Sequence, residues 1–541
     1  MLQRWLLGVV LWPLAAGCGS DGGGEPQGGP AGAGGTGGAG ATGGAGGAVP
    51  SPPAGVPADG CAEGFEHDGY GGCHVVLPPE PCPAGAMALP GETTCRPVSP
   101  CGEGTWGTIP VEADTVFVDG SYGGGSSDGT AARPYRTVAE GVQQAAQGAI
   151  VAIAEGSYAE ELDLLGKSVV LWGRCPELVE IVGGSGTATI LADDSSGGAI
   201  RDLAVRSTGG ALGIAVTDSV PFSIERVWIH HTGDRGVEVQ DSLGPATVTL
   251  SDSLIENVTG IGVNGSGVEL TVTGCVVRDV GVSSMGRGRG VQLMANGIHR
   301  SQGTLRGSLI ERVRDVAVAA FGSSLTVEGT AVRDTLPYTD QKHGLGLMAV
   351  SGGGPAAELV VTGTTVERVL KSGLAGQGAS ITVDTTTFRQ VAPEQLGGFF
   401  GRGVQIQSQG SDVTDLSMTQ SLVHESTEVG ILGFDSPLHL DGVLVREVAA
   451  RADGMFGDGV SLDGTASIEL HRSLITDNAR AGMTLFGAQA VIGANAFRCN
   501  SIHIDGEGAF DVTNVGGNTC GCGEQREECR VLSSNLEPPL P

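Results

Sequence analysis

The chain has 541 residues, 94 of them glycine, with 60 acidic against 30 basic side chains and a net charge of -30. Only 17% of residues are charged, and that, with so much glycine, excludes an ordinary helix-rich enzyme. The acid excess repels phosphate backbones, which excludes nucleic acid as a partner and leaves, among cofactors, at most loose binding of Ca2+.

The chain opens MLQRWLLGVVLWPLAAGCGS: one basic residue, Arg4, an apolar run from Trp5 to Ala16, then small residues ahead of Cys18. The run is too short to span a bilayer and reads as an export signal. LAAGC resembles a bacterial lipoprotein signal, which implies a signal peptide over 1–17, a lipidated Cys18, and, from Gly19 after it, an outer-membrane or cell-surface location. Residues 18–60 are then a Gly-, Ala- and Pro-rich tether with almost nothing to bury, expected to be disordered and roughly 35–40 Å from end to end. The expected membrane contact is this lipid anchor alone.

From 61 to 110 the cysteines Cys61, Cys73, Cys82, Cys95 and Cys101 stand among Gly and Pro. Such density marks a small stapled module, and in an exported chain without close CxxC pairs here, disulfides displace zinc. Five cysteines need a sixth, for which Cys175 is the nearest downstream; Cys499, Cys520, Cys522 and Cys529 can pair among themselves, the last three in a C-terminal tail over 516–541. Cys275 is left over.

Residues 111–165 read as turn, helix and strand. Thr137 and Glu140 form a capping box, Val138, Val142 and Ala145 share a face, and Gly148 can stop the helix. The Gly/Ser/Asp turn, the RPYRTVAEGVQQA helix and the IVAIAEGSY strand resemble the start of pectin lyase-like proteins. That resemblance implies a right-handed parallel β-helix, a single-stranded solenoid whose first coil the helix covers.

The β-helix is expected over 166–515, and a weak repeat recurs from about residue 200 to 500, as in VTLSDSLIENV, LTVTGCVVRDV, LTVEGTAVRDT and LVVTGTTVERV. A mostly small residue recurs at twelve positions from Leu203 to Asn495, among them Ser253, Cys275, Ser308, Thr330 and Ser421, and two residues later every copy is β-branched or Phe. This is one stacked interior column. From Ser253 the spacings are 22, 33, 22, 34, 22, 35, 22, 30 and 22, so every second coil carries an insertion and the insertions emerge on one side. Eleven steps of about 4.8 Å make a rod of roughly 53 Å. The two positions after the column alternate in charge, Glu256, Arg278, Glu311, Arg333, Glu367, Arg389 and, in opposite phase, Asp279, Arg312, Asp334, Arg368. We read them as an exposed ladder whose pairs are each worth about 0.2–1 kcal/mol.

Enzymes of the resembled class cut acidic polysaccharides, but their motif clusters are absent here: only His343-Gly344 and the distant Asp193-Asp194 match the hydrolase type, and VWIHH, 227–231, has His230 where the lyase sequence has Asp. Four Gly-x-Gly copies, at Gly288-Arg289-Gly290, Gly344-Leu345-Gly346, Gly401-Arg402-Gly403 and Gly457-Asp458-Gly459, repeat at 56, 57 and 56 residues and mean packed turns rather than a nucleotide loop. Arg287, Arg289, Lys342, His343, Arg402 and Asp458 are expected to project from the insertion side as a candidate ligand face. The sequence identifies no catalytic residue and no metal ligands. Its reading is a lipid-anchored, non-catalytic surface protein that is structural or binds polysaccharide or another surface protein; the alternative is a polysaccharide lyase or glycoside hydrolase.

Overall fold

A computed structural model describes residues 53–540 apart from 285 and 353; the signal, Cys18 and most of the tether lie outside the described residues. The chain winds in coils, each giving one short strand to each of three long sheets. In one coil Glu269–Thr273 lies in the first sheet, Val276–Val280 in the second and Arg289–Met294 in the third. Each pairs in parallel with the equivalent strand of the next coil, Gln302–Arg306, Leu309–Val313 and Val316–Phe321. The protein is an all-β parallel β-helix, with one helix, Val138–Gln144, among the described residues.

Period-two alternation sends Ile255, Val277, Ile310 and Val332 inward in register. The same column extends beyond the twelve sequence positions to Ile181 and Tyr158 at one end and Cys520 at the other. The residue before the small slot has positive φ in all twelve copies, whether glycine, as Gly274 at 61°, or not, as Asp252 at 48°. The slot favours Ser and Thr because the bend leaves backbone groups inside the core that need partners. Ser308 Oγ accepts the Cys275 N–H at 3.1 Å and donates to the Arg306 carbonyl at 2.8 Å.

Cys275 fills the same slot. It is fully buried, its thiol lies 3.4 Å from the Thr273 carbonyl, and burial pushes its pKa up to about 12. Two outcomes follow for this residue: the native thiol stays unlabelled by iodoacetamide at neutral pH, and Cys275→Ser shifts the melting temperature by only a few degrees. Labelling of the native protein as fast as of the denatured one would move Cys275 out of the core.

Thr137 caps the helix, its side chain accepting the Glu140 N–H at 3.2 Å. The expected reciprocal bond from the Thr137 N–H to Glu140 is not among the hydrogen bonds of the described residues; instead the Glu160 carboxylate accepts the first-turn N–H groups of Val138 and Ala139, each at 2.9 Å.

The Cys-rich segment forms a strap along the outside of the second sheet rather than a free-standing module. It is stapled by Cys61–Cys73 and Cys82–Cys95 and fastened to the solenoid by Cys101–Cys175. Gly55 N–H donates to the Gly442 carbonyl at 2.9 Å, Cys73 N–H to Thr387 Oγ1 at 2.8 Å, and Gly85 N–H to the Glu256 carboxylate at 2.8 Å. Val56, Phe65, Met87 and Val98 cover the outward Leu254, Val276, Leu309 and Ala331. Residues 53–60, which composition places in the tether, therefore belong to the strap, because Val56 finds an apolar surface to bury against, at 3% exposure.

The strap also overturns the exposed reading of the charge ladder. Glu256, Arg278, Glu311 and Glu367 have side chains only 2–3% exposed. Their contacts form one zigzag: Glu256–Arg278 at 2.6 Å, Arg278–Asp279 at 3.9 Å, Asp279–Arg312 at 2.7 Å, then Arg312–Glu311–Arg333–Asp334–Arg368–Glu367–Arg389. It ends on Asp68 of the strap, 3.6 Å from Arg389.

At the far end Cys499–Cys522 and Cys520–Cys529 close the last coils. Beyond Val531–Leu532 the chain turns back over the third sheet. Leu536 N–H bonds Glu507 at 3.2 Å, Arg480 donates to the Glu537 carbonyl at 3.3 Å, and Arg402 donates to the Leu540 carbonyl at 2.5 Å.

Candidate functional site

The insertions leave the solenoid along both edges of the third sheet. Residues 281–288, 334–344, 393–401 and 447–457 join second-sheet strands to third-sheet strands, and 295–301, 351–356 and 408–414 join the third to the first. The outer face of the third sheet is thus flanked by loops on two sides. The glycines of the four Gly-x-Gly copies permit the turns onto this sheet: a Cβ on Gly290 would stand 2.4 Å from the Ala317 carbonyl oxygen, and one on Gly403 2.6 Å from that of Gly430. Close packing of coils, not phosphate binding, accounts for the motif.

On this face Glu238, Asn264 and Gln292 stack in register on successive coils, each 2–3% exposed. Asn264 Nδ2 donates to Glu238 at 3.0 Å, and Gln292 Nε2 to Asn264 Oδ1 at 2.7 Å. Arg235 pairs with Glu238 at 2.9 Å, while Arg289 bonds the Gln292 side-chain oxygen and pairs with Asp315 at 2.8 Å. Asp315 lies 3.7 Å from His343, whose ring meets Tyr338 edge-on at 5.6 Å. Burial pushes Glu238 up to about 7 against the opposing pull of Arg235 and Asn264. Burial and the neighbouring Arg235 and Arg289 hold Arg287 below the usual guanidinium range. Among the described residues the Arg287 side chain takes part in none of the hydrogen bonds or ion pairs found around it.

The six residues of the expected ligand face are not one surface. Arg287, Arg289 and His343 belong to this cluster, with exposed Lys342 beside it. Arg402 and Asp458 do not project: they are 1% and 0% exposed, paired with Glu428 and Arg480. Each opens a third-sheet strand, where insertion loops and the returning C-terminal segment close over it. An apolar patch of Val316, Ala319 and Leu345 separates the two groups. Phe399, Phe400 and Phe456 lie near the downstream pair, under cations: Lys371 and Arg402 over Phe400, Arg451 over Phe399 and Phe456.

His230 in VWIHH is buried, stacked on Trp228 at 3.9 Å with Nε2 3.3 Å from Glu180, and burial lowers its pKa to about 4. It is a neutral packing residue. Arg235, Glu238, Asn264, Gln292 and Asp315 escaped the sequence reading because they lie outside the repeat's inward column. The available signal was three consecutive polar residues, Glu238, Asn264 and Gln292, at one outward register.

No family model and no curated protein matches the chain. Among solved structures, the catalytic unit of a thermostable GH87 alpha-1,3-glucanase from Streptomyces thermodiastaticus strain HF3-3 is similar at TM-score 0.45 and 14% identity, covering 81% of this chain and 74% of that one. Pectate lyase Pel9A is similar at 0.31 and 12%, covering 55% and 78%, and a rhamnogalacturonan lyase at 0.27 and 11%, covering 61% and 82%. Likeness this loose assigns no residue and no activity to this chain.

Proposed function

We propose that the protein is a polysaccharide lyase acting on a uronic-acid polymer, held at the cell surface through Cys18. The alternative reading of the sequence thereby replaces the non-catalytic one. The observation that carries it is the gathering of Arg235, Arg287 and Arg289 around a buried Glu238 whose pKa is about 7. Among the described residues this cluster does not recur coil after coil as the charge zigzag does. Elimination from a uronate needs cations on the carboxylate, a base for the adjacent C5 proton and an acid for the departing oxygen. Arg235 and Arg289 supply the cations. His343, half-exposed at the edge of the cluster and 3.7 Å from Asp315, takes the C5 proton. The electron pair forms the C4–C5 double bond, the C4–O bond breaks, and Glu238 protonates the leaving oxygen. Glu238 is 3% exposed, so substrate binding has to draw the arginines outward to reach it.

The full chain is incubated with polygalacturonate and alginate, with and without Ca2+. Unsaturated ends in the ultraviolet support elimination. New reducing ends without unsaturation overturn the lyase in favour of a hydrolase, and binding without cleavage returns the protein to the non-catalytic class.

A further inference from the structure

The charge zigzag of the second sheet stops at Arg389, and the next coils bring His424, Glu425 and Glu447 together. We propose that these three side chains bind a divalent transition-metal ion. His424 stacks in register on Arg446, which places Glu425 beside Glu447 on adjacent coils, both with left-handed backbone at φ 53° and 55°. Upstream, this column sets opposite charges on neighbouring coils, Asp279 against Arg312 and Asp334 against Arg368. Here two carboxylates adjoin, an arrangement that costs energy until a cation joins them.

His424 Nε2 stands 3.0 Å from Glu447 Oε2 and 4.0 Å from Glu425 Oε1. Nitrogen and oxygen ligands about 2.0–2.1 Å from a tetrahedral Zn2+ lie roughly 3.3 Å apart. The two observed distances bracket that value, so small side-chain movements let a metal take the place of the direct His424–Glu447 contact. The imidazole is held in place: 5% exposed, it packs against Tyr70 of the strap at 5.5 Å. Arg446 engages Glu447 Oε1 and lies over the Tyr70 ring, leaving Oε2 toward the imidazole. One imidazole and two carboxylates select Zn2+ or Co2+ over Ca2+ and Mg2+, which take oxygen-only sets. Three protein ligands leave one position for water, and the adjacent Arg389 and Arg446 lower the affinity by repelling the cation.

The test titrates the untagged full chain with Zn2+ by calorimetry and with Co2+ by visible absorption. One saturable site is expected, with the intense absorption of tetrahedral Co2+. Glu425→Gln, at a side chain 45% exposed and therefore harmless to folding, weakens it at least tenfold, and His424→Ala abolishes the band. His439→Ala, at the exposed His439–Glu469 pair, leaves both signals unchanged. Absence of a saturable site, or uptake and spectrum unchanged by Glu425→Gln and His424→Ala, overturns the proposal.

Discussion

Arg278→Ala is expected to destabilise the protein by about 3–5 kcal/mol, because it leaves the Glu256 side chain, 2% exposed, without its cation. The loss has a second part. Arg278 also donates to the carbonyls of Pro83 and Ala86, at 2.9 and 3.0 Å, so the strap is released over the same coil. Chemical denaturation measures the first effect and protease nicking between residues 77 and 100 the second. Arg306→Ala provides the contrast. Its pair with Glu328 is 3.8 Å long between side chains 69% and 43% exposed, and its removal is expected to change stability by less than about 0.5 kcal/mol. Equal effects at the two positions would return the ladder to the solvent-exposed status that the sequence pattern suggests.

Glu238→Gln is expected to lower turnover of a uronate polymer by about 10²–10⁴-fold while raising stability at neutral pH. The carboxyl titrates at about 7 in the folded protein against an ordinary 4.5. Between these values the unfolded chain releases its proton and the folded one retains it, so stability falls as pH rises from about 4.5 to 7 and is level beyond. At 1.36 kcal/mol per unit the total is about 3 kcal/mol. The Gln variant lacks this slope. Melting curves at pH 4.5, 6 and 8, read beside the activity assay, decide the matter: a wild type whose slope matches the variant's means that Glu238 is already ionised at pH 4.5 and is no proton donor.

The coil, the inward column and the bends were legible in the sequence because the solenoid repeats them; Val277 and Gly274 have equivalents on every coil. What repetition does not carry was not legible. The strap joins residues hundreds of positions apart, Cys73 to Thr387 for example, and nothing in CHVVLPPEPC announces the surface it covers. For that reason Glu256 and Arg278 looked like solvent-facing partners. The candidate site was half visible: Arg287 and Arg289 stand in an insertion that the spacing exposes, whereas Glu238 lies in an ordinary strand, RGVEVQ, and acquires its character from Asn264 and Gln292 on later coils. Arg402 and Asp458 misled because position in a long insertion says where a residue leaves the coil but not what folds back over it.

A solenoid bound only by neighbouring coils melts progressively, each end fraying without consequence for the middle. Here one continuous segment touches the coil at Cys175, the coil at Glu256, the coil at Thr387 and the coil at Gly442. Loss of any one coil then withdraws support from others far along the rod. The strap turns a one-dimensional stack into a single cooperative unit, in which local damage either is tolerated in place or brings down the whole.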